Sequence, residues 1–336
     1  MKLLSIAVPC YNSQDYMTHA IESLLVGGDE VEILIIDDGS KDETGRIADD
    51  FACRFPGIVR VFHQENAGHG GAVMTGLRQA SGLYFKVVDS DDWVDEQAYL
   101  QVLAELRSFT EQPIDMLISN YIYDKAGASH KHVVRYRHVF PQGRVFGWAE
   151  TERFRKGQYL LMHAVIYRTQ LLRECGLDLP LHTFYVDELY VYKPLKNVEK
   201  MMYLDADFYH YYIGREGQSV QEEVMLRRID QYLLVNRLLV SSADPFTEKD
   251  ERKRAYMLDF LEIITTVSSV LLIKSGTEEN LQKKEELWTF IQQENPQVYR
   301  ALRRRLLGRL LHLPGKTGRA IAVSGYKICR KIVGFN

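Results

Sequence analysis

Through the first third of the chain, apolar and polar residues come in blocks. Leu3–Val8, Val31–Ile36, Ile58–His63 and Leu83–Val88 are largely apolar runs of strand length, and Asp15–Leu25, Thr44–Phe55 and Ala72–Ala80 between them carry apolar residues at helical spacing. Strands that are apolar on both faces are covered on both faces, so the pattern predicts a parallel sheet flanked by helices, a doubly wound α/β fold. A helix over Glu96–Phe109 and a strand over Ile114–Asn120 extend the series.

Beyond Asn120 the alternation stops. Tyr121–Phe146 is polar, with His130, His132 and His138, and reads as a hairpin or a loop. His163–Tyr167 reads as a short strand, Arg168–Glu174 as a helical turn or two and Cys175–Thr183 as a loop. A helix follows from Phe184 to Leu195, then strands over Met201–Asp205 and Phe208–Ile213. From Glu222 the periodicity is helical, over Val224–Val240, Glu248–Lys274, Thr277–Gln293 and a last basic helix, Gln297–Leu313. The expected division is a sheet domain over 1–220, with halves 1–120 and 121–220, followed by a helical region over 221–336.

Composition changes this picture at the tail. The net charge is −3, but residues 297–336 hold ten Lys/Arg and no Asp/Glu, which leaves 32 basic against 45 acidic residues before them. Leu302, Leu306, Leu310 and Leu313 fall on one face of the last helix, flanked by Arg300, Arg303, Arg304, Arg305 and Arg309. Such a helix can lie on an anionic membrane surface; the other readings pack it on the protein's own acidic body or at a homodimer interface. An anionic body around one basic patch argues against nucleic acid. Four scattered cysteines without a CxxC pair suggest reduced thiols, and a turn directly after the first apolar run reads as a first strand rather than a secretion signal. No run reaches the roughly 18–20 continuous apolar residues of a membrane span, because Phe260–Ile273 contains Glu262 and four hydroxyl residues. The expectation is a cytoplasmic chain, peripheral at most on the inner face of the membrane.

Candidate chemistry gathers where the apolar runs end. Leu83–Val88 runs into Asp89-Ser90-Asp91-Asp92, and such crowded carboxylates are best neutralised by a cation or by donors on a ligand. The alternative is an acidic turn in which Asp92 caps the next helix. Asp37-Asp38-Gly39-Ser40 is a second acidic strand end. A carboxylate there can accept from a base N–H while Pro9 and Tyr11 wall the base, or Asp38 or Ser40 can cap the helix that follows. Asn66-Ala67-Gly68-His69-Gly70-Gly71 is neither GxGxxG nor a P-loop, and reads as a tight strand-to-helix turn near the nucleotide. Asp187, beside Glu188 and among Phe184, Tyr185, Tyr190 and Tyr192, is a candidate general base; a solvated helix N-terminus is the plainer reading. Arg215, Gln218 and Ser219 lie on a glycine-flanked loop suited to diphosphate or acceptor.

Taken in order, Val8-Pro9-Cys10-Tyr11-Asn12, Asp37-Asp38-Gly39-Ser40-Lys41-Asp42, Asn66-Ala67-Gly68 and Asp89-Ser90-Asp91-Asp92-Trp93 resemble the successive signatures of family 2 glycosyltransferases of the GT-A fold. The resemblance extends to about residue 220. It implies an inverting hexosyl- or N-acetylhexosaminyltransferase that takes a sugar from a UDP-sugar with Mn²⁺ or Mg²⁺, of the bacterial surface-polysaccharide type, acting on a glycan or lipid-linked acceptor. By motif position it implies that Tyr11 stacks on or borders the base, Asp38 contacts the base, Asp89 lies on the ribose side and Asp91 holds the metal; Pro9, Asn66, His69 and Ser90 join the expected nucleotide-sugar contacts, and Asp89 the expected metal contacts. Residues 1–120 become the nucleotide-sugar half and 121–220 the acceptor half, with Asp187 as base and Glu188, Arg215, Gln218 and Ser219 facing acceptor or diphosphate. The family's base usually follows a Glu; here Val186 precedes Asp187, and this departure is what favours a non-catalytic nucleotide-sugar-binding scaffold as the alternative. A nucleotidyltransferase would need a glycine-rich activating signature after strand one, which is missing.

Overall fold

In a computed structural model of the chain, residues 2–125, 131–214 and 221–333 are described. The contacts divide it into two compact units, Met1–Glu150 with Leu160–Glu216, and Thr151–Tyr159 with Gly217–Asn336.

The first unit opens with three strand–helix repeats: β1 (Leu4–Cys10), α1 (Met17–Leu25), β2 (Val31–Asp37), α2 (Thr44–Arg54), β3 (Val59–His63) and α3 (Gly68–Gln79). Every residue of β1 and β2 is buried, as a doubly covered sheet requires. In α1, Met17, Ala20, Ile21 and Leu24 are the buried positions, one face of a 3.6-residue period. After β4 (Tyr84–Val87), β5 (Trp93–Val94) and α4 (Glu96–Ser108) come β6 (Met116–Lys125), β7 (His132–Val134), β8 (Val165–Arg168), α5 (Thr169–Glu174), α6 (Asp187–Tyr192) and β9 (Met201–Ile213). The strand order is β3-β2-β1-β4-β8-β6-β9-β5, with β7 on β6.

The β1–β4 part is parallel throughout, whereas β8 runs antiparallel to both β4 and β6, so the doubly wound half continues into a mixed sheet. The two strands expected over 201–213 are one strand, β9, whose register against β6 shifts between Ile118 and Tyr121. That irregularity lets Asn120 turn inward, where its amide donates to Asp205 and Asp207.

The second unit is helical: α7 (Glu222–Arg227), α8 (Ile229–Ser242), α9 (Glu251–Ser275), α10 (Glu278–Glu294), α11 (Pro296–Arg304), α12 (Leu306–Leu310) and α13 (Gly315–Val333). Residues 151–159 join it through Phe154 against Tyr256 and Tyr159 against Phe260. By length and composition alone α9 is long and apolar enough to cross a membrane, but most of its apolar stretch is buried inside the protein. A bundle's central helix passes the same test. Its hydroxyls are interhelical partners: Asn236 Nδ2 donates to Ser268 Oγ and Trp288 Nε1 to Ser269 Oγ.

The single basic helix expected over 297–313 is broken. Arg305 leaves helical geometry between α11 and α12, and its guanidinium reaches Asp259 and Glu262 of α9. Gly308 then folds so closely over the end of α11 that a Cβ would stand 2.0 Å from the Leu302 carbonyl oxygen. The leucine stripe is thereby split: Leu302 is buried while Leu306 is 60% exposed and Leu313 is also exposed.

A buried carboxylate near the start of β2 staples the first strands together. Glu32, 3% exposed, accepts from Ser5 Oγ, Ser81 N, Ser81 Oγ and Arg60 Nη1. Burial opposes its ionisation, and these bonds outweigh burial and hold the carboxyl below the ordinary glutamate value. A group depressed in this way contributes stability above its unfolded-state pKa and loses it as pH falls through the folded value. Glu32→Ala should therefore lower stability by about 2–4 kcal/mol near neutral pH. In urea unfolding the gap between mutant and wild type should shrink once the pH drops below the carboxylate range.

Candidate active site

Parallel register aligns the chemistry. Cys10 pairs with Asp37, Asp37 with His63, and Ala7 with Val87, so the residues that leave these strands, Tyr11, Asp38, Gln64 and Asp89, emerge at one sheet edge. This carboxyl edge is where open α/β sheets present ligand sites. Pro9 is buried within β1, and Tyr11, 53% exposed, is the aromatic that reaches the surface. Its amide donates to Ser13 Oγ, which also meets Ser90 Oγ at 2.8 Å, so the loop after β1 is tied to the turn after β4.

Asp38 is 3% exposed and fully engaged by its own chain. Oδ1 accepts from Gln64 Nε2 at 2.6 Å and Ala67 N at 2.8 Å, and Oδ2 from Gly68 N at 2.8 Å. Asn66, exposed, donates its amide to the Asp38 carbonyl. Asp38 thus satisfies the amides that open α3 from across the sheet, while at the start of the helix after β2 Thr44 N donates to Asp42 Oδ1. The capping expected of Asp38 or Ser40 on that helix is not what forms. Ser40 Oγ instead accepts from Asn12 N.

The glycines after Ala67 seat another loop. Gly68 has φ +77, and a Cβ there would lie 2.8 Å from the backbone of His182; one on Gly70 would lie 2.8 Å from the Pro180 carbonyl oxygen. His182 N donates to Ala67 O at 2.8 Å. His182 and Tyr185 both hold left-handed backbone, with φ of 50° and 67°, conformations a non-glycine residue keeps only where its surroundings impose them. The segment so anchored leads into Asp187, half-buried in the first turn of α6.

His69, on the first turn of α3, bridges the parts. Its Nε2 meets Asp89 Oδ1 at 2.8 Å. Burial works against its protonation, but Asp89, then Asp187 and Asp38, raise its pKa above the ordinary value. Burial raises the Asp187 carboxyl, with His69 acting in the opposite direction and Asp89 adding to the rise. Asp89 is the reverse case: burial is outweighed by His69, His163 and Lys86, and its pKa lies below the usual carboxylate range. Two carboxyls of opposite tendency therefore act on one imidazole, Asp89 through a hydrogen bond and Asp187 through its field.

Beneath them lies a polar cluster. Lys86, fully buried in β4, donates from Nζ to the carbonyls of Met162, His163 and Val165, and burial pulls its pKa down to about 7. Asp92 is buried and accepts from Tyr209 Oη and Tyr212 N; burial, then Asp89, pushes its carboxyl well up. The helix cap proposed for Asp92 belongs to Asp95, which accepts from Ala98 N. Burial pulls His163 down to about 3, a neutral ring stacked on Tyr211 at 4.1 Å.

The model of glycosyl transferase family 2 matches residues 5–169. Residues 5–169 belong to glycosyl transferase family 2. It is 28% identical over 223 residues to the glycosyltransferase GlyA of Streptococcus pneumoniae, covering 64% of this chain and 31% of that protein. It is 31% identical over 102 residues to the minor teichoic acid biosynthesis protein GgaB of Bacillus subtilis, covering 30% of this chain and 11% of that protein. The chain thus spans less than a third of either relative. Among solved structures it resembles S. aureus TarS 1-349 in complex with UDP-GlcNAc, with a TM-score of 0.67, 22% identity, and coverage of 98% of this chain and 91% of that one. The fold is accordingly GT-A, a mixed α/β sheet with a helical C-terminal part.

In this family 2 glycosyltransferase, then, Tyr11, Asp38, Asn66, His69, Asp89, Ser90 and Asp91 gather on one edge, and Asp187 is brought to His69 by the anchored loop. Glu188 is buried in α6. Arg215, Gln218 and Ser219 lie outside the described residues. Asp89, Asp92 and His163 present ligand atoms within 4.8 Å of one another. Asp92 has both oxygens engaged and His163 is 5% exposed, so the oxygen donors suited to a hard cation are those of Asp89 and Asp91, both half-buried. On that donor chemistry the residues fit a divalent ion. Sequence reasoning passed over Lys86, His163 and Tyr209; a lysine in the middle of an apolar strand was the one visible signal.

Gly68→Ala should cost about 1–3 kcal/mol of stability, because the left-handed φ and the His182 backbone act together. Limited proteolysis should show new cleavage at 180–186. Wild-type resistance there in the variant would mean that Gly68 does not seat this loop.

Proposed function

We propose that this glycosyltransferase transfers a hexosyl or N-acetylhexosaminyl group, with inversion, from a UDP-sugar to a hydroxyl of a glycan or lipid-linked acceptor in bacterial surface polysaccharide synthesis. The observation that carries it is His69 bonded to Asp89 at 2.8 Å at the sheet edge and in electrostatic reach of Asp187, with the Asp89 carboxyl held low and the Asp187 carboxyl raised. The likeness to GgaB supports the pathway, and the likeness to a TarS structure holding UDP-GlcNAc supports the donor.

In this reading residues 1–120 hold the donor and 121–220 the acceptor. Tyr11 and Pro9 border the base, and Asp38 and Asn66 are assigned to it, Asp38 also holding the loop over 64–68. Ser90 keeps the diphosphate turn against the loop after β1. Asp89 and Asp91 would hold Mn²⁺ or Mg²⁺, which when bound offsets charge on the departing nucleoside diphosphate. Asp187 accepts the proton of the acceptor hydroxyl, the oxygen forms its bond to the anomeric carbon from the face opposite the diphosphate, and the carbon–oxygen bond to UDP breaks with its electron pair leaving on UDP. Glu188, Arg215, Gln218 and Ser219 are assigned to acceptor or diphosphate.

Asp187→Asn should fold, keep UDP binding in calorimetry and lose about 10²–10⁴-fold in transfer from a panel of UDP-sugars. Because the base acts when ionised and its pKa is raised, kcat/KM should climb as pH rises through that value, with the acid limb above the roughly 4 of a free aspartate. Near-normal transfer by the variant would remove Asp187 as base. UDP binding without turnover in wild type would favour the scaffold reading.

The helical unit supports a peripheral place at the cytoplasmic membrane face. Leu306, Leu313 and Ile321 are exposed together with Arg304, Arg309 and Lys316. Full-length protein should sediment with vesicles containing anionic lipid at low salt, and Leu306→Ser/Leu313→Ser/Ile321→Ser should release it, each apolar side chain lost from the interface weakening binding by roughly 1.5–3 kcal/mol. Deleting 297–336 is the poorer test, since Val298, Leu302 and Leu311 are core residues. Retention by vesicles in the triple variant would place the contact elsewhere.

A further inference from the structure

The three carboxylates after β4 are not equivalent. The Asp92 amide donates to the Asp89 carbonyl oxygen at 3.0 Å, closing a turn with Ser90 and Asp91 at its tip. The Asp92 side chain turns away from that tip. Its Oδ1 accepts from Tyr212 N at 2.8 Å and its Oδ2 from Tyr209 Oη at 2.6 Å. The same Tyr209 oxygen accepts from the Asp89 amide at 3.2 Å. One phenol therefore accepts a hydrogen bond from the first residue of the turn and donates one to the last.

Tyr209 is held where it can do so. It lies in β9, paired with Val94 on one side and Tyr121 on the other, and is fully buried. Its ring packs against His163 at 4.8 Å between centroids, and the Lys86 ammonium stands 4.8 Å from its centre. Both ends of the turn are thus referred to the β6–β9 part of the sheet, while Asp89 and Asp91 keep carboxylates that are half-buried. A cation site demands ligand oxygens placed within a few tenths of an ångström, and partners behind the ligands commonly set that placement.

We infer that Tyr209 and Asp92 are positioning residues that fix the Asp89–Asp92 turn, and that through it they set the affinity for a divalent cation together with a nucleoside diphosphate. The inference rests on the proposed donor site. Tyr209→Phe removes the hydroxyl and keeps the ring, so the packing against His163 and Lys86 persists while the Asp89 amide and the Asp92 carboxylate each lose a partner.

The test is calorimetric titration of the full chain with UDP, with MnCl₂, and with UDP in the presence of MnCl₂. Tyr209→Phe should weaken UDP binding in the presence of Mn²⁺ by about 10- to 100-fold and leave binding of UDP alone within about twofold. Tyr203→Phe is the control. It also loses a buried hydroxyl, one that bonds Asn120 and Asp205, and should lower Tm without changing either Kd. If Tyr209→Phe does not fold, Asp92→Asn replaces it, since the amide keeps one acceptor oxygen and leaves either Tyr209 Oη or Tyr212 N without its acceptor. A folded Tyr209→Phe or Asp92→Asn protein with wild-type Mn²⁺-dependent UDP affinity overturns the positioning role and leaves the donor reading standing. Wild-type protein whose UDP binding ignores Mn²⁺ overturns both.

Discussion

The Asp38 carboxylate is the constraint on which the site depends. It is buried at the end of β2 and answers three N–H donors from the segment that begins α3. Left without them, a buried carboxylate would cost several kcal/mol, so the loop 64–68 has little choice of place. The position of that loop in turn sets the position of Asp187. With Ala67 and Gly68 pinned, the Ala67 carbonyl is presented to His182 N, the backbone of His182 rests on Gly68, and the strained turn 182–185 carries Asp187 to the neighbourhood of His69. A residue nearly a hundred positions beyond Asp89 in sequence is thereby set near it in space.

A second constraint lies under the sheet edge. Lys86 replaces water with three backbone carbonyls from the 162–165 segment, just as β8 joins the sheet antiparallel to β4. Burying an ammonium is tolerable when its donors are filled, and the field of Asp89 and Asp92 opposes the downward pull of burial on its pKa. The lysine therefore joins the two halves of the unit where their hydrogen-bond directions differ. Neutral His163 and buried Tyr209 lie between Lys86 and the acidic turn, and His163 stacks on Tyr211 of β9.

The tail shows how tertiary contact reassigns a sequence pattern. As a sequence, 297–313 has one apolar face and one basic flank. Folded, Arg305 leaves the helix to meet Asp259 and Glu262, and Gly308 lets the chain double back on Leu302. Some leucines of the stripe become core and others surface. In the same way the hydroxyls that interrupt α9 in sequence are the groups that bond it to α8 and α10.

What the chain's order of residues determined by itself was local. Fully apolar strands beside amphipathic helices dictate a covered parallel sheet, and turn-forming acidic clusters after two strands mark its carboxyl edge, because side-chain period and burial are properties of neighbouring residues. The strand ends that carry Asp38 and Asp89 were legible for that reason, and the order of the motifs around them made the family legible. Only the tertiary structure decided what each group is for. Glycines 68 and 70 seat a distant loop, Asp92 faces inward to Tyr209 while Asp89 and Asp91 stay half-exposed at the edge, and Lys86 bonds carbonyls some 76–79 positions away. Each of these depends on which backbone atoms lie within hydrogen-bond reach across the fold, and no spacing along the chain encodes that distance.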